Sequence, residues 1–127
     1  MYLKPIGVVE QNENYTILNI FDEFVDGLDG LKEGDYIIVL VWFHKNDSEE
    51  SRKILKVHPR GDIKNPLKGV FATRSPYRPN PIGKYTVKIH KIDKNKIFID
   101  KIDAYDETPI IDIKIFLEEL DCPKNIN

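Results

Sequence analysis

Val87-Lys88-Ile89-His90-Lys91-Ile92-Asp93-Lys94-Asn95-Lys96-Ile97-Phe98-Ile99-Asp100 is the stretch on which the fold turns. Val87 and Ile89 alternate with Lys88 and His90, and Ile97 and Ile99 alternate with Phe98 and Asp100. A period of two places one set on an apolar face and the other in solvent, as a half-buried strand requires. Asp93 to Lys96 is polar and separates the two runs, so it reads as a hairpin turn. The same alternation recurs at Ile111, Ile113 and Ile115 against Asp112 and Lys114. Tyr36 to Phe43 is apolar throughout and rich in β-branched residues, which predicts a central strand buried on both faces. Earlier strands are expected at Lys4 to Glu10 and Tyr15 to Phe21. Asp22 to Leu31, with Gly27 and Gly30, reads as a short helix or a loop. Several short strands without repeats or linkers predict an all-β fold, a barrel or a sandwich, in one domain over residues 1–127.

Composition is compatible with that reading and excludes others. The chain has 127 residues, 41% apolar and 31% charged, enough for one core under a well-solvated surface. No apolar run approaches the roughly 18 residues that cross a bilayer. The first residues lack the order of a secretory signal. Cys122 is the sole cysteine, so no intramolecular disulfide can form, and a cytoplasmic location is expected. Cys122 lies in a polar stretch beside Pro123, a poor setting for a reactive thiol. Three His and one Cys show no metal-ligand spacing, and no metal is expected.

The net charge of −2 conceals an uneven distribution. Residues 1–51 hold 3 Lys/Arg against 11 Asp/Glu, whereas residues 52–84 hold 9 Lys/Arg against Asp62 alone. Two readings stand. The basic segment can place an anion or a phosphate backbone, or it can pair with the acidic segment across the fold.

Within that segment lies Gly69-Val-Phe-Ala-Thr-Arg-Ser-Pro-Tyr-Arg-Pro-Asn-Pro-Ile-Gly83. Pro76, Pro79 and Pro81 fix φ, remove amide donors and push each preceding residue out of the helical region. The loop from Ser75 to Gly83 is therefore expected to be extended, stiff and poor in backbone hydrogen bonds. With Arg74 just before it, it carries Ser75, Tyr77, Arg78 and Asn80, a set suited to a polar ligand, since little ordering entropy remains to be lost on binding. A guanidinium offers a planar fork matched to carboxylate or phosphate. His44 and His58 have the pKa range of a general base, but His44 follows an apolar strand and reads first as a satisfied structural histidine.

The segment from Gly69 to Gly83 resembles the signature of the TsaA-like (TrmO) family. Trp42-Phe43-His44, His58-Pro59-Arg60-Gly61-Asp62 and Thr108-Pro109-Ile110-Ile111-Asp112-Ile113-Lys114 resemble further family elements. The resemblance implies a small antiparallel β-barrel with at most short helices, forming a homodimer. It also implies an S-adenosyl-L-methionine-dependent methyltransferase whose partner is tRNA, methylating N6 of threonylcarbamoyladenosine beside the anticodon. Alternatives are a protein methylating another small molecule or RNA, and a non-enzymatic sensor of the cofactor. Carried over by position, the cofactor contacts would be Lys45, Asn46, Arg74 and Lys84, with Asp100, Lys101, Ile102 and Asp103 at the adenosine end. Ser75, Tyr77, Arg78, Asn80, Asp112 and Lys114 are the substrate-binding candidates. Asp112 and Lys114 share a strand face and would form either a surface ion pair or, as the resemblance favours, part of a site at a dimer interface. No catalytic residue is assigned. The sequence departs from the family pattern at Gln11 to Asn14, where a cofactor-contacting loop is missing, at Lys84-Tyr85, and at Ile115-Phe116.

Overall fold

The computed structural model describes residues 1–123. Eight strands follow one another as β1 (Gly7–Gln11), β2 (Thr16–Ile20), β3 (Tyr36–Trp42), β4 (Lys56–Val57), β5 (Lys68–Gly69), β6 (Ile82–Asp93), β7 (Lys96–Ile99) and β8 (Pro109–Ile115). Six of them pair antiparallel in the order β1-β2-β7-β6-β3-β8, and β8 returns to β1 through Gly7↔Ile110 and Val8↔Pro109. The sheet thus closes into a barrel. Closure leaves these strands no unpaired edge.

The alternation read from the sequence decides what lies inside. Val9, Leu18, Ile20, Ile37, Val39, Val41, Val87, Ile89, Ile97, Ile99 and Ile110 form one buried cluster. Burying an aliphatic side chain of this size is worth about 1.5–3 kcal/mol, so the interior supplies the main stabilising force. On β3 the outward Ile38 is buried too, and Leu40 and Trp42 are half-buried. Burial on both faces therefore holds for Ile38 and fades towards Trp42.

Strand β8 corrects one detail. Leu40 pairs with Asp112 but Val41 pairs with Ile110, so Ile111 is an extra residue in a bulge. A bulge shifts the alternation by one. The core residue is consequently Ile110, fully buried, whereas Ile115 is 42% exposed. The turn between β6 and β7 has Lys94 at φ 57°. Asp22–Leu28 forms a short 3-10 helix, and Phe24, Leu28 and Leu31 pack against the buried cluster from that side.

Between β3 and β6 the chain makes an excursion. Trp42 and Ile82 are paired, and the Phe43 amide donates to Pro81 O at 2.7 Å, so it leaves and returns at one point of the rim. It contains α1 (Glu49–Lys53), capped by the Ser48 hydroxyl accepting from the Ser51 amide, the small β4–β5 pair and the proline-rich loop. Among the described residues, no helix is long and apolar enough to cross a membrane.

Candidate functional site

The excursion and the segment 103–108 meet over the same rim and enclose a cleft of about 520 Å³, within the range of small-molecule sites, about 300–1,000 Å³. Its floor depends on a glycine. A Cβ on Gly83 would lie 2.2 Å from the Phe43 ring, so glycine alone lets that ring cross β6. Phe43 then meets Tyr85 edge to face, with ring centroids 6.5 Å apart. The Tyr85 hydroxyl donates to Asp103 Oδ1 at 2.7 Å. Burial, and then the neighbouring Asp103 carboxylate, push the Tyr85 hydroxyl well above its ordinary pKa, so it stays protonated and holds Asp103 in place.

The cleft is rich in cations. Lys45 and Asn46, in the short turn after β3, line one side, with Lys45 Nζ 4.3 Å from the centre of the Tyr105 ring. Arg74, Arg78 and Lys84 line the rest. Arg78 Nη1 donates to Ser75 O at 2.9 Å and Thr73 O at 3.3 Å, which fixes it against the loop it belongs to. Arg74, Lys45 and Lys84 make no ion pair among the described residues. His44 Nδ1 is buried without a hydrogen-bond partner. A satisfied structural histidine was the first expectation for it. Its place in the cleft wall with a nitrogen unpaired corrects that, since a buried unpaired polar atom is costly unless a ligand completes it.

The proline-rich loop is held as its composition demands. Backbone donors are few, so side chains supply the bonds. Ser75 N–H donates to Thr73 Oγ1 and Tyr77 N–H to Ser75 Oγ. Arg52 reaches from α1 to donate to Pro79 O at 2.6 Å and Asn80 Oδ1 at 3.0 Å, while also pairing with Asp47. Strand pairing begins at Ile82, so the loop ends before Gly83.

The structure brings together Lys45, Asn46, Arg74, Arg78, Lys84 and Asp103. The other sequence-predicted residues lie elsewhere. Asp100 accepts from the Lys88 amide and faces His90. Lys101 turns to Gln11 Oε1 and Asn12 O, and the Ile102 amide donates to Thr16 Oγ1. Ser75 and Tyr77 line a second depression beyond the loop. Asn80 is engaged by Arg52. Asp112 and Lys114 form an exposed ion pair at 2.9 Å, and Asp112 lies beside Phe24 and Asp29 rather than in the cleft. Tyr85, Tyr105, Thr73 and Phe71 were missed. For Tyr85 and Tyr105 no local pattern distinguished them from wall residues, since only the closed barrel brings them to the cleft that Arg74 also lines.

A closed antiparallel barrel with a cationic, aromatic-walled cleft at one rim is the class of protein that fold and site define. The chain belongs to the family of the tRNA-methyltransferase O N-terminal domain, whose model matches residues 4–122. It is 93% identical over 123 residues to a probable S-adenosyl-L-methionine-binding protein of Methanocaldococcus jannaschii, covering 97% of this chain and 98% of that one. It is 40% identical to an S-adenosyl-L-methionine-binding protein of Archaeoglobus fulgidus, over 96% of this chain and 94% of the other. A tRNA (adenine(37)-N6)-methyltransferase of Mus musculus is 36% identical over 109 residues, but these are 86% of this chain and 25% of the mouse protein. A crystal structure of TrmO superposes on the whole chain with a TM-score of 0.73 at 26% identity, and the chain spans 62% of it.

Proposed function

We propose that this protein is an S-adenosyl-L-methionine-dependent methyltransferase acting on tRNA at N6 of the adenine beside the anticodon, with threonylcarbamoyladenosine as the acceptor. The observation that carries the reading is the convergence of Arg74, Arg78, Lys45 and Asn46 with Asp103 and the Tyr85 and Tyr105 rings around one nucleoside-sized cleft. Family membership supports it, as do relatives named for binding the cofactor and for methylating adenine 37.

The donor set fits the cofactor. Arg74, unpaired and at the cleft wall, matches a carboxylate with its planar fork. Asp103, held by Tyr85, would accept from ribose hydroxyls or an amino group. The Tyr105 and Phe43 rings offer faces for a purine. The bound cofactor supplies a methyl group activated by a sulfonium. The acceptor nitrogen that received the methyl group would shed a proton. His44 lines the cleft, but its Nδ1 is buried, and no residue is assigned that proton. Alignment of donor and acceptor by these groups would contribute to the rate. Because the sulfonium loses its charge in the step, a carboxylate pressed against sulfur would hinder it. Asp103 is accordingly read as a ribose or amino ligand. The same proposal takes the chain as one barrel domain, a homodimer and cytoplasmic.

The test uses purified protein and methyl-labelled cofactor. Label should enter tRNA that carries threonylcarbamoyladenosine and not tRNA lacking it. Cofactor binding in calorimetry with no transfer to either tRNA would refute the enzymatic reading and leave a binding protein.

A further inference from the structure

On the far side of the signature loop lies a second depression of about 810 Å³. It shares Thr73, Arg74 and Pro76 with the cleft, so one stretch of chain is the wall between the two. Lys56, His58, Arg60 and Lys68 line it together with apolar residues such as Ile54, Val57, Ile63 and Tyr77, and no acidic residue takes part.

The charges here are not neutralised from within. Among the described residues, the ion pairs that involve residues 52–84 are Arg52 with Asp47 and Lys53 with Glu49, both local to α1. Lys56, Arg60, Lys64, Lys68 and Arg74 pair with nothing, and all five are exposed. Asp62, the lone acid of the segment, accepts from the Lys64 amide. Pairing across the fold, one of the two readings of the uneven charge, is therefore not what the structure contains. An uncompensated cationic groove beside an exposed aromatic ring is the arrangement that tracks a single nucleic-acid strand, cations on phosphates and rings under bases.

We infer that this groove holds the RNA strand adjoining the nucleotide in the cleft, with Lys56, Arg60 and Lys68 on its phosphates and Tyr77 beneath a base. The inference rests on the RNA reading of the cleft and extends it. A base placed in the cleft must carry its backbone over the rim, and the groove continues from the shared wall of Arg74 and Pro76.

The test is a variant with Lys56→Ala, Arg60→Ala and Lys68→Ala together. All three side chains are exposed, so folding and cofactor binding should match the parent. Binding to a fluorescent anticodon stem-loop RNA, followed by anisotropy, should weaken at least about tenfold near 50 mM salt. Losing three phosphate contacts should flatten the slope of log K against log salt by about 2. The charge-keeping variant Lys56→Arg, Arg60→Lys, Lys68→Arg should recover both. If the parent binds and methylates RNA while the alanine variant keeps its affinity and slope, the groove assignment falls and the cleft reading stands. If the parent binds cofactor but no RNA, both fall. A parent dimer that the alanine variant abolishes, with RNA binding unchanged, would make the groove a contact between copies and overturn the inference.

Discussion

Ile37, Val39 and Val41 are wholly buried on one side of Trp42, and on the other side, from Phe43 to Pro81, only Val70 and Pro81 are buried among the described residues. The barrel is held by strand ladders around an apolar interior. The excursion is held by side chains gripping backbone, as Arg52 does at Pro79 and Arg78 at Ser75. The two regions carry different burdens. Hydrophobic burial sets the stability of the barrel. The excursion buries little, so its residues are free to face ligands. Substitutions in the first should move stability with little direct effect on binding, and substitutions in the second the reverse.

The largest effect is expected at the centre of the barrel. Ile37→Ala leaves a cavity among well-packed neighbours and should cost about 2–5 kcal/mol in urea unfolding. A cost below about 1 kcal/mol would mean that the interior is not the source of stability. Gly83→Ala crosses the boundary between the regions. The new methyl must displace the Phe43 ring, which is the far end of a side chain and can swing. Overpacking of this kind costs about 1–3 kcal/mol. Phe43 would leave its contact with Tyr85, so cofactor affinity should fall as well. Unchanged affinity, measured by calorimetry, would show that the cleft floor does not depend on that ring. Arg74→Ala tests the excursion alone. It should weaken cofactor binding about tenfold, or about 1.4 kcal/mol, with the melting temperature unmoved. A variant that binds as the parent does would remove Arg74 from the site.

The same contrast explains what was legible in the sequence. Period-two patterns marked β6, β7 and β8, because in a one-sided sheet burial writes itself into alternation, and an unbroken apolar run marked β3. The bulge at Ile111 escaped, since Ile110 and Ile111 are chemically alike and only pairing with β3 chooses between them. Three prolines marked the loop, and Arg74 and Arg78 do line the cleft. The loop's split between two depressions was not readable. Ser75 and Tyr77 face one and Arg78 the other because of the path between Arg52 and the rim. Asp100 and Asp103 looked equivalent in sequence, yet the wall takes the first and the cleft the second.

Asp100 gives the smallest and most diagnostic effect. It sits where β6 carries His90 as an extra residue opposite β7. The Lys88 amide donates to Oδ2 at 2.9 Å, and His90 Nε2 lies 2.5 Å from Oδ1. The amide first, and then His90, hold the Asp100 carboxyl below its ordinary value of 3.8. Folding therefore favours the charged form. The resulting stability is complete above pH 3.8 and is lost as pH falls through the lower folded value. The side chain is 45% exposed, so solvent screening keeps the gain to at most about 1 kcal/mol. Urea unfolding of the parent and of Asp100→Asn, compared from about pH 7 to pH 2, should show a gap that closes in acid. A gap that opened on acidification would mean that the fold favours the neutral carboxyl.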